Sequence, residues 1–480
     1  MKFLLFVLLL ILIFAAVLVI RTLLAGEKTT YFEYSKDEKR VKEYAKKLSK
    51  MVQYETVSVA DKPDPKKFKG FHKVLARQFP TLFKELEVID IDGNLLIKWK
   101  GKNRKLAPLM LISHMDVVEA SGKWSHEPFS GDIEDGYVWG RGTSDTKCSL
   151  MAFLQAGEEL LKEGYKPKCD VYFGSSCTEE IGGDGAPKIV QYLKDKGVKL
   201  YMLCDEGGSI VKDPVTGVKG EFAAIGIFEK GYGDLKFIAR SEGGHSSTPA
   251  KGTPIARLAA FENEIEKHDP FKVAFLPAVD QMFKSLAPYC QSFALKLVMA
   301  NEDLLKPVIS RIIPSISAEA AAMLKTTVAF TMQKGSDGYN VLPQEAWVTA
   351  NLRYIPHQKK DESNELISSI AKKYNIETEV LKANDPSREL DLNGEQYQMC
   401  VRTIKNVFPG IGIMPYVVTG GTDARFYGPI CDNCIRFSPV MYEPEQLKAM
   451  HGLNENIKAG TLPMAVDYYK ALIKEQETRK

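Results

Sequence analysis

The stretch Leu109-Met-Leu-Ile-Ser-His114-Met-Asp116, followed after a polar loop by Gly140-Arg-Gly-Thr-Ser-Asp145-Thr-Lys147, decides how the rest of this chain reads. Leu109 to Ile112 has the length and apolar density of a strand buried on both faces, which places His114 and Asp116 at its carboxyl end. In open α/β sheets, ligands bind along that edge. A neutral imidazole beside carboxylates suits a divalent transition metal such as zinc, and one carboxylate can bond the far ring nitrogen and fix its tautomer. Taken alone, a single His-x-Asp reads equally well as an ordinary strand-end hydrogen bond.

The same event recurs along the chain. Asp170 to Thr178 reads as another strand and delivers Glu179 and Glu180 ahead of the turn pair Gly182-Gly183. Lys199 to Cys204 reads as a third and delivers Asp205 and Glu206 ahead of Gly207-Gly208. Three strands ending in imidazole or acid gather negative charge on one sheet edge. Carboxylates so gathered repel one another, and one or more bound cations relieve the conflict.

The chain's 480 residues suffice for two or three domains and a large core. Lys plus Arg number 64 against 61 Asp plus Glu, a net charge of +3, so no electrostatic case for a nucleic-acid partner arises. Every residue from Phe3 to Ile20 is apolar, a run approaching the span of a bilayer and longer than the core of an ordinary signal peptide. The favoured reading is an uncleaved signal anchor within residues 1–26 that leaves the catalytic part outside the cytoplasm; a cleaved signal and secretion is the alternative. Lys2 and Arg21 flank the run on both sides, so charge does not fix its orientation. Of the eight cysteines only Cys431 and Cys434 have Cys-x-x-Cys spacing, and with no second pair or nearby histidine they read as buried thiols rather than a zinc site.

Strand and helix alternate up to Leu203, the pattern of an α/β fold with a mostly parallel sheet covered by helices. Near Gly231 the pattern changes to half-exposed alternating strands, Gly233 to Arg240 and Trp347 to Arg353. Residues 27–231 and 355–480 therefore read as two parts of one catalytic domain, and residues 232–354 as an inserted α+β domain serving as lid or dimer contact. The apolar helical section from about 270 to 316 falls to the insert, whereas a helix over 361–374 and a strand over 376–381 fall to the returning catalytic domain. Closely spaced glycines at Gly420-Gly421-Thr422, after a strand, expose backbone N–H groups that can cradle an anion.

In order, His114-x-Asp116, Gly-Arg-Gly-x-x-Asp145-x-Lys147, Glu179-Glu180, Asp205-Glu-Gly, Gly-Gly-His245-Ser-Ser-x-Pro, Asn340 with Arg353, Gly420-Gly421-Thr422-Asp and His451-Gly resemble one large family. It is the two-zinc amidohydrolase and exopeptidase family of aminoacylase, carboxypeptidase S, glutamate carboxypeptidase and succinyl-diaminopimelate desuccinylase. The resemblance covers about residues 40 to 475 and is nearest to the carboxypeptidase S branch. It implies two zinc ions per subunit, with Co2+ or Mn2+ as substitutes. His114 and Asp205 would hold one, Glu180 and His451 the other, and Asp145 would bridge them. It implies that Asp116 orients His114, that Glu179 is the general base, and that His245 stabilises the oxyanion, in many relatives across a homodimer. Asn340, Arg353, Gly420, Gly421 and Thr422 would hold the substrate. The implied reaction is hydrolysis of an amide next to a free carboxylate, in a small peptide or an N-acyl amino acid. Cys148 departs from the pattern, where relatives commonly carry glycine, and alters no ligand.

Two other readings compete. Ser144-Asp-Thr-Lys147 fits the Ser-x-x-Lys of a serine acyl-enzyme, with Ser336-Asp-Gly and Lys325-Thr-Thr echoing its partner motifs in reversed order. A membrane-tethered binding protein with a vestigial site is the non-catalytic reading, opposed by an intact set of acids and imidazoles. An apolar helical section motivates the expectation that hydrophobic acyl groups or side chains are preferred.

Overall fold

Leu109–Ile112 sits inside a sheet of ten strands, counted among the described residues, with parallel neighbours on both sides: Val171–Ser175 and Met202–Asp205. The chain is seen here in a computed structural model that describes residues 1–480 apart from Asp61, Pro63 and Lys480, and apart from the side chains of residues 314–316. All three central strands are buried throughout, as continuous apolar runs in a helix-covered sheet must be. Leu109 and Leu111 face one helical layer, sharing a core with Phe153 of helix Lys147–Lys162 and Leu472 of helix Leu462–Glu475. Met110 and Ile112 face the other, with Ile189 and Leu193 of helix Gly185–Asp195. The two-residue period of the strand thus feeds two cores at once.

The flanks are mixed. Asn94–Trp99 and Glu87–Ile91 close one edge antiparallel, and beyond Cys434–Arg436 the long strand Glu221–Glu229 pairs in parallel with Gly412–Val418. Because the central strands are parallel, their carboxyl ends come out on one side. That is the side on which the acids and imidazoles gather.

A second sheet of four antiparallel strands follows, ordered Thr327–Lys334, Glu345–Tyr354, Gly231–Arg240, Glu377–Asn384. Leu235, Phe237 and Val348 pack against Phe261 and Ile367 of its two covering helices, Pro254–Lys267 and Lys360–Lys373. The expected return to the large sheet at residue 355 is corrected here. Helix Lys360–Lys373 and strand Glu377–Asn384 belong to the small sheet, where Glu377 lies opposite Ile238. Strand period shows that a segment is half-buried and not which sheet it joins. The apolar section is corrected in the opposite sense. Ala278, Met282, Leu286 and Met299 join the core of the large sheet, and helix Pro277–Leu286 lies against Gly412–Val418. These residues are apolar because they cover the large sheet's edge.

Candidate metal centre

Each strand of the parallel centre hands one or two groups to the same point. His114 follows Leu109–Ile112 by two residues, Glu179 and Glu180 follow Val171–Ser175, and Glu206 follows Met202–Asp205. Asp145 arrives on the loop before helix Lys147–Lys162, and His451 on the loop after helix Pro444–Ala449. The Asp145 carboxylate stands between two imidazoles, with Oδ1 3.1 Å from His114 Nε2 and Oδ2 2.9 Å from His451 Nε2. His114 Nε2 also lies 3.1 Å from Glu206 Oε1, and His451 Nε2 lies 3.1 Å from Glu180 Oε2. Two groups of three facing donor atoms result, His114 with Asp145 and Glu180, and His114 with Glu179 and Glu206, each with its atoms within 4.8 Å of one another.

The electrostatics of the bare cluster are strained. Burial opposes charge on His114, yet the facing Glu206, Asp116 and Asp145 hold it well above its ordinary value. Hydrogen bonds to Asp145 and Glu180 push His451 up to about 10. Burial, with Asp145 and Asp205 nearby, pushes Glu206 up to about 8 against the pull of His114. Burial also drives Glu179 well above the carboxylate range, helped by Asp423 and Glu206 and opposed by His114 and Arg425. Only Asp145, gripped by both imidazoles, is held low despite its burial. Too many carboxylates converge for too few positive groups, and a multivalent cation is what such a cluster lacks.

Surrounding groups hold the cluster in place. Asp116 accepts the backbone N–H groups of Glu179 and Glu180, both at 3.1 Å, and the Ser58 hydroxyl at 2.6 Å. Its own carbonyl oxygen lies 2.9 Å from His114 Nδ1, so it ties two strand ends together and leaves His114 Nε2 facing the acids. Glu455 is fully buried and accepts the N–H groups of Gly142, Ser144 and Asp145 at 3.0, 2.8 and 3.0 Å, plus the Arg141 guanidinium at 2.7 Å. It thereby fastens the loop of Asp145 to the loop of His451, whose φ of 56° is left-handed.

Two expected residues are engaged elsewhere in this geometry. Asp205 does not face His114; its carboxylate accepts the Ala424 N–H at 2.8 Å, and burial with the nearby Asp423 pushes it up to about 7. Glu206, one residue further, is the acid that reaches the cluster. Asp205 still belongs to the strand and points to a neighbouring loop, whereas Glu206 lies past the end of it. Thr422 does not present free donors either. Its N–H and hydroxyl both bond the buried Glu229, at 2.8 and 2.7 Å, and Glu229 is also held by Arg436 at 2.5 Å. Glu206, Glu229 and Glu455 went unassigned in the sequence. For Glu206 the signal was its place beside Asp205 at a strand end, and for Glu455 its place in the His451 loop.

Other expected residues lie apart from the cluster. His245 is exposed on a short ribbon, Gly244–His245 against Val341–Leu342, where its Nδ1 pairs with the Ser247 hydroxyl at 2.8 Å. Asn340 sits on the same ribbon, its carbonyl accepting the Ser246 N–H at 3.0 Å. Arg353 lies on the small sheet, stacked 4.7 Å over the Tyr232 ring and bonded to Asn351 Oδ1 at 3.0 Å. Burial lowers its pKa, and the nearby Arg425 adds to the effect. Arg425 in turn approaches Glu179 Oε1 at 4.0 Å. Gly420 is open to solvent, and a Cβ on Gly421 would run into the Arg425 guanidinium.

The serine reading fails on geometry. Ser144 donates its hydroxyl to the Asn456 carbonyl at 2.7 Å, whereas Lys147 Nζ bonds the carbonyls of Met51 and Tyr54 at 3.1 and 3.0 Å. Cys148 is buried, which pushes its thiol up to about 12 and leaves it unreactive. Cys431 and Cys434 are buried free thiols.

A cavity of about 460 Å³ opens beside the cluster and takes Asp145 and Glu206 into its wall. The remaining wall combines the apolar Ala224, Met414, Tyr416, Tyr442 and Met450 with the polar Ser209, Lys212, Asp213 and Ser438. Its size and lining are those of a small-molecule site. The residues fit a divalent metal: Glu180 Oε1 is buried with no hydrogen-bond partner, beside imidazole and carboxylate donors of the type such ions take.

Residues 110–475 match the family model described as peptidase family M20/M25/M40. The chain is 34% identical over 451 residues to the N-fatty-acyl-amino acid synthase/hydrolase PM20D1 of Xenopus tropicalis, covering 92% of this chain and 87% of that protein. It is 32% identical over 450 residues to the probable carboxypeptidase S-like 2 of Dictyostelium discoideum, covering 91% and 85%. Among solved structures, the M20 metallo-carboxypeptidase Sso-CP2 from Sulfolobus solfataricus superposes with a TM-score of 0.65 at 18% identity, over 90% of this chain and 99% of that one. Human carnosine dipeptidase 1 does so with a TM-score of 0.63 at 17% identity, over 92% and 98%.

Proposed function

Since the chain belongs to peptidase family M20/M25/M40 and is a metal-dependent amide hydrolase, we propose that it cleaves N-acyl amino acids bearing a long apolar acyl group, using two zinc ions held by the cluster. His114 with Glu206, and Glu180 with His451, would hold one ion each, with Asp145 facing both imidazoles. When bound, the metals polarise the amide carbonyl and make a water acidic enough to attack at neutral pH. Glu179 would take the proton from the attacking water and return it to the leaving amine. Arg425, 4.0 Å from Glu179 Oε1, and Arg353 meet the substrate carboxylate, whereas Asn340 acts with His245 from their shared ribbon. His245 is exposed and pairs with Ser247 rather than with the cluster, which favours its serving a homodimeric partner as oxyanion donor.

The observation that carries the substrate is the cavity, whose apolar residues share its wall with the acids Asp145 and Glu206. An acyl chain buries there while the amide stays at the acids. The Phe3-to-Ile20 run makes the N-terminal helix a membrane anchor in this reading, with the catalytic part outside the cytoplasm. A turnover panel tests the substrate: with zinc-loaded protein, long-chain N-acyl amino acids should be cut faster than short-chain ones and faster than dipeptides. Faster cleavage of small polar dipeptides would replace this reading with that of a dipeptidase or carboxypeptidase.

A further inference from the structure

The N-terminal helix Lys2–Leu24 contains an eighteen-residue window of mean hydropathy 3.6, none of it buried. Only its last turns touch the body. Thr22 is fully buried there, where its hydroxyl and the Leu18 carbonyl both accept from Asn301 Nδ2 at 3.1 Å, and Arg21 pairs with Asp303 at 2.9 Å. Both partners belong to the helical section, at the junction of helices Phe293–Ala300 and Glu302–Ile316.

Those two helices are apolar on two sides. Inwardly, Met299 and Ile309 are buried and Lys306 is tied to Asp280 at 2.6 Å. Outwardly, Phe293, Leu304 and Val308 are 52%, 39% and 52% exposed, and Ile312 continues the four-residue spacing of Leu304 and Val308 at 46%. A soluble surface helix turns charge toward water on its outer face, whereas this one presents a stripe of aliphatic groups flanked by the exposed Asp303 and Arg311. The stripe begins at Leu304, one residue after Asp303 receives Arg21, so it starts where the membrane helix enters the body. The chain after that helix stays on the same side, with the Lys28 N–H bonded to the Pro288 carbonyl at 3.0 Å.

We propose that the outer face of helices Phe293–Ala300 and Glu302–Ile316 lies in the bilayer surface, as an interfacial platform beside the anchor. The inference rests on the reading of residues 3–20 as a membrane anchor. Its occupant is the acyl region of a lipid bilayer. The argument for lipid over a second copy of the chain is continuity: an apolar stripe adjoining an apolar spanning helix is already at membrane level, and partial burial of such a face in the interface is favourable. The consequence is orientation. The loop Asp213 to Gly220 borders the cavity through Asp213 and Pro214, and it pairs with the segment just before the platform at Val218 and Cys290. The cavity is thereby held near the membrane.

Photolabelling tests this. The full-length protein is reconstituted into phosphatidylcholine vesicles doped with a phosphatidylcholine bearing a diazirine on its acyl chain, irradiated, digested and mapped by mass spectrometry. Adducts on residues 3–20 and on Phe293, Leu304 or Val308, with none on helix Lys360–Lys373, are expected, together with loss of the platform adducts in L304E/V308E. Adducts confined to residues 3–20 would overturn the platform and leave the anchor standing. A dimer in sedimentation that L304E/V308E abolishes, without lipid adducts at these positions, would overturn it in favour of a dimer contact. Absence of adducts from residues 3–20 would remove the anchor, and the platform with it.

Discussion

The Nε2 atom of His451 lies 2.9 Å from Oδ2 of Asp145, and the other oxygen of that carboxylate faces His114 at 3.1 Å. One carboxylate therefore serves both halves of the cluster. Asp145→Asn retains the shape and removes the charge, so it should lower zinc content at both positions together, and turnover with it. Elemental analysis checks this, and loss of one ion with retention of the other would argue against a bridge.

Glu179 makes no ion pair with either imidazole, and Arg425 at 4.0 Å is its only ion-pair partner among the described residues. Glu179→Gln should leave zinc content near that of the wild type while slowing turnover about a hundred- to ten-thousandfold, the usual worth of a general base. Metal analysis and steady-state kinetics on one preparation separate this from a ligand role.

Neighbouring acids should behave differently. Glu206→Gln removes a group facing His114 at 3.1 Å and should weaken zinc binding markedly. Asp205→Asn changes the acceptor of the Ala424 N–H, and its first effect should be a lower melting temperature at largely retained metal affinity. Zinc titration and thermal melts of the two variants distinguish them, and the reverse ranking would restore Asp205 as the ligand.

Without metal, stability should fall as pH rises. Asp423, Asp205 and Glu206 are raised from ordinary values of 3.8, 3.8 and 4.5 to about 6, 7 and 8, mainly by burial. Between the ordinary and raised values the folded chain binds more protons than the unfolded one, so raising the pH across that window destabilises the fold. His451, raised to about 10, acts in the same sense, its contribution being lost as the pH climbs from its unfolded value toward 10. Zinc binds the deprotonated groups. Chelated protein should therefore melt lower at pH 8 than at pH 5, and the gain in melting temperature on adding zinc should be larger at pH 8.

Much of this was legible in the chain because strand-end chemistry is local. Buried runs such as Leu109 to Ile112 announce a parallel sheet, and the groups that follow them must then share an edge. The neighbouring pair Asp205-Glu206 shows the limit: adjacent residues of like charge differ only in which way the backbone turns at the strand's end. Glu377 to Asn384 shows another, since alternation carries no record of the partner strand. Glu229 and Glu455 act through backbone N–H groups supplied by distant loops, a role that leaves no local spacing to read.

The Glu455 clasp has a consequence for how the molecule comes to life. Its grip on the N–H of Asp145 joins residues 310 positions apart. Contacts of that separation form late, after the intervening chain has been ordered. A nascent or C-terminally clipped polypeptide ending before His451 holds the first four acids and the first imidazole without the loop that closes on them. The cluster is thus complete only in a chain that includes residues 451 to 455.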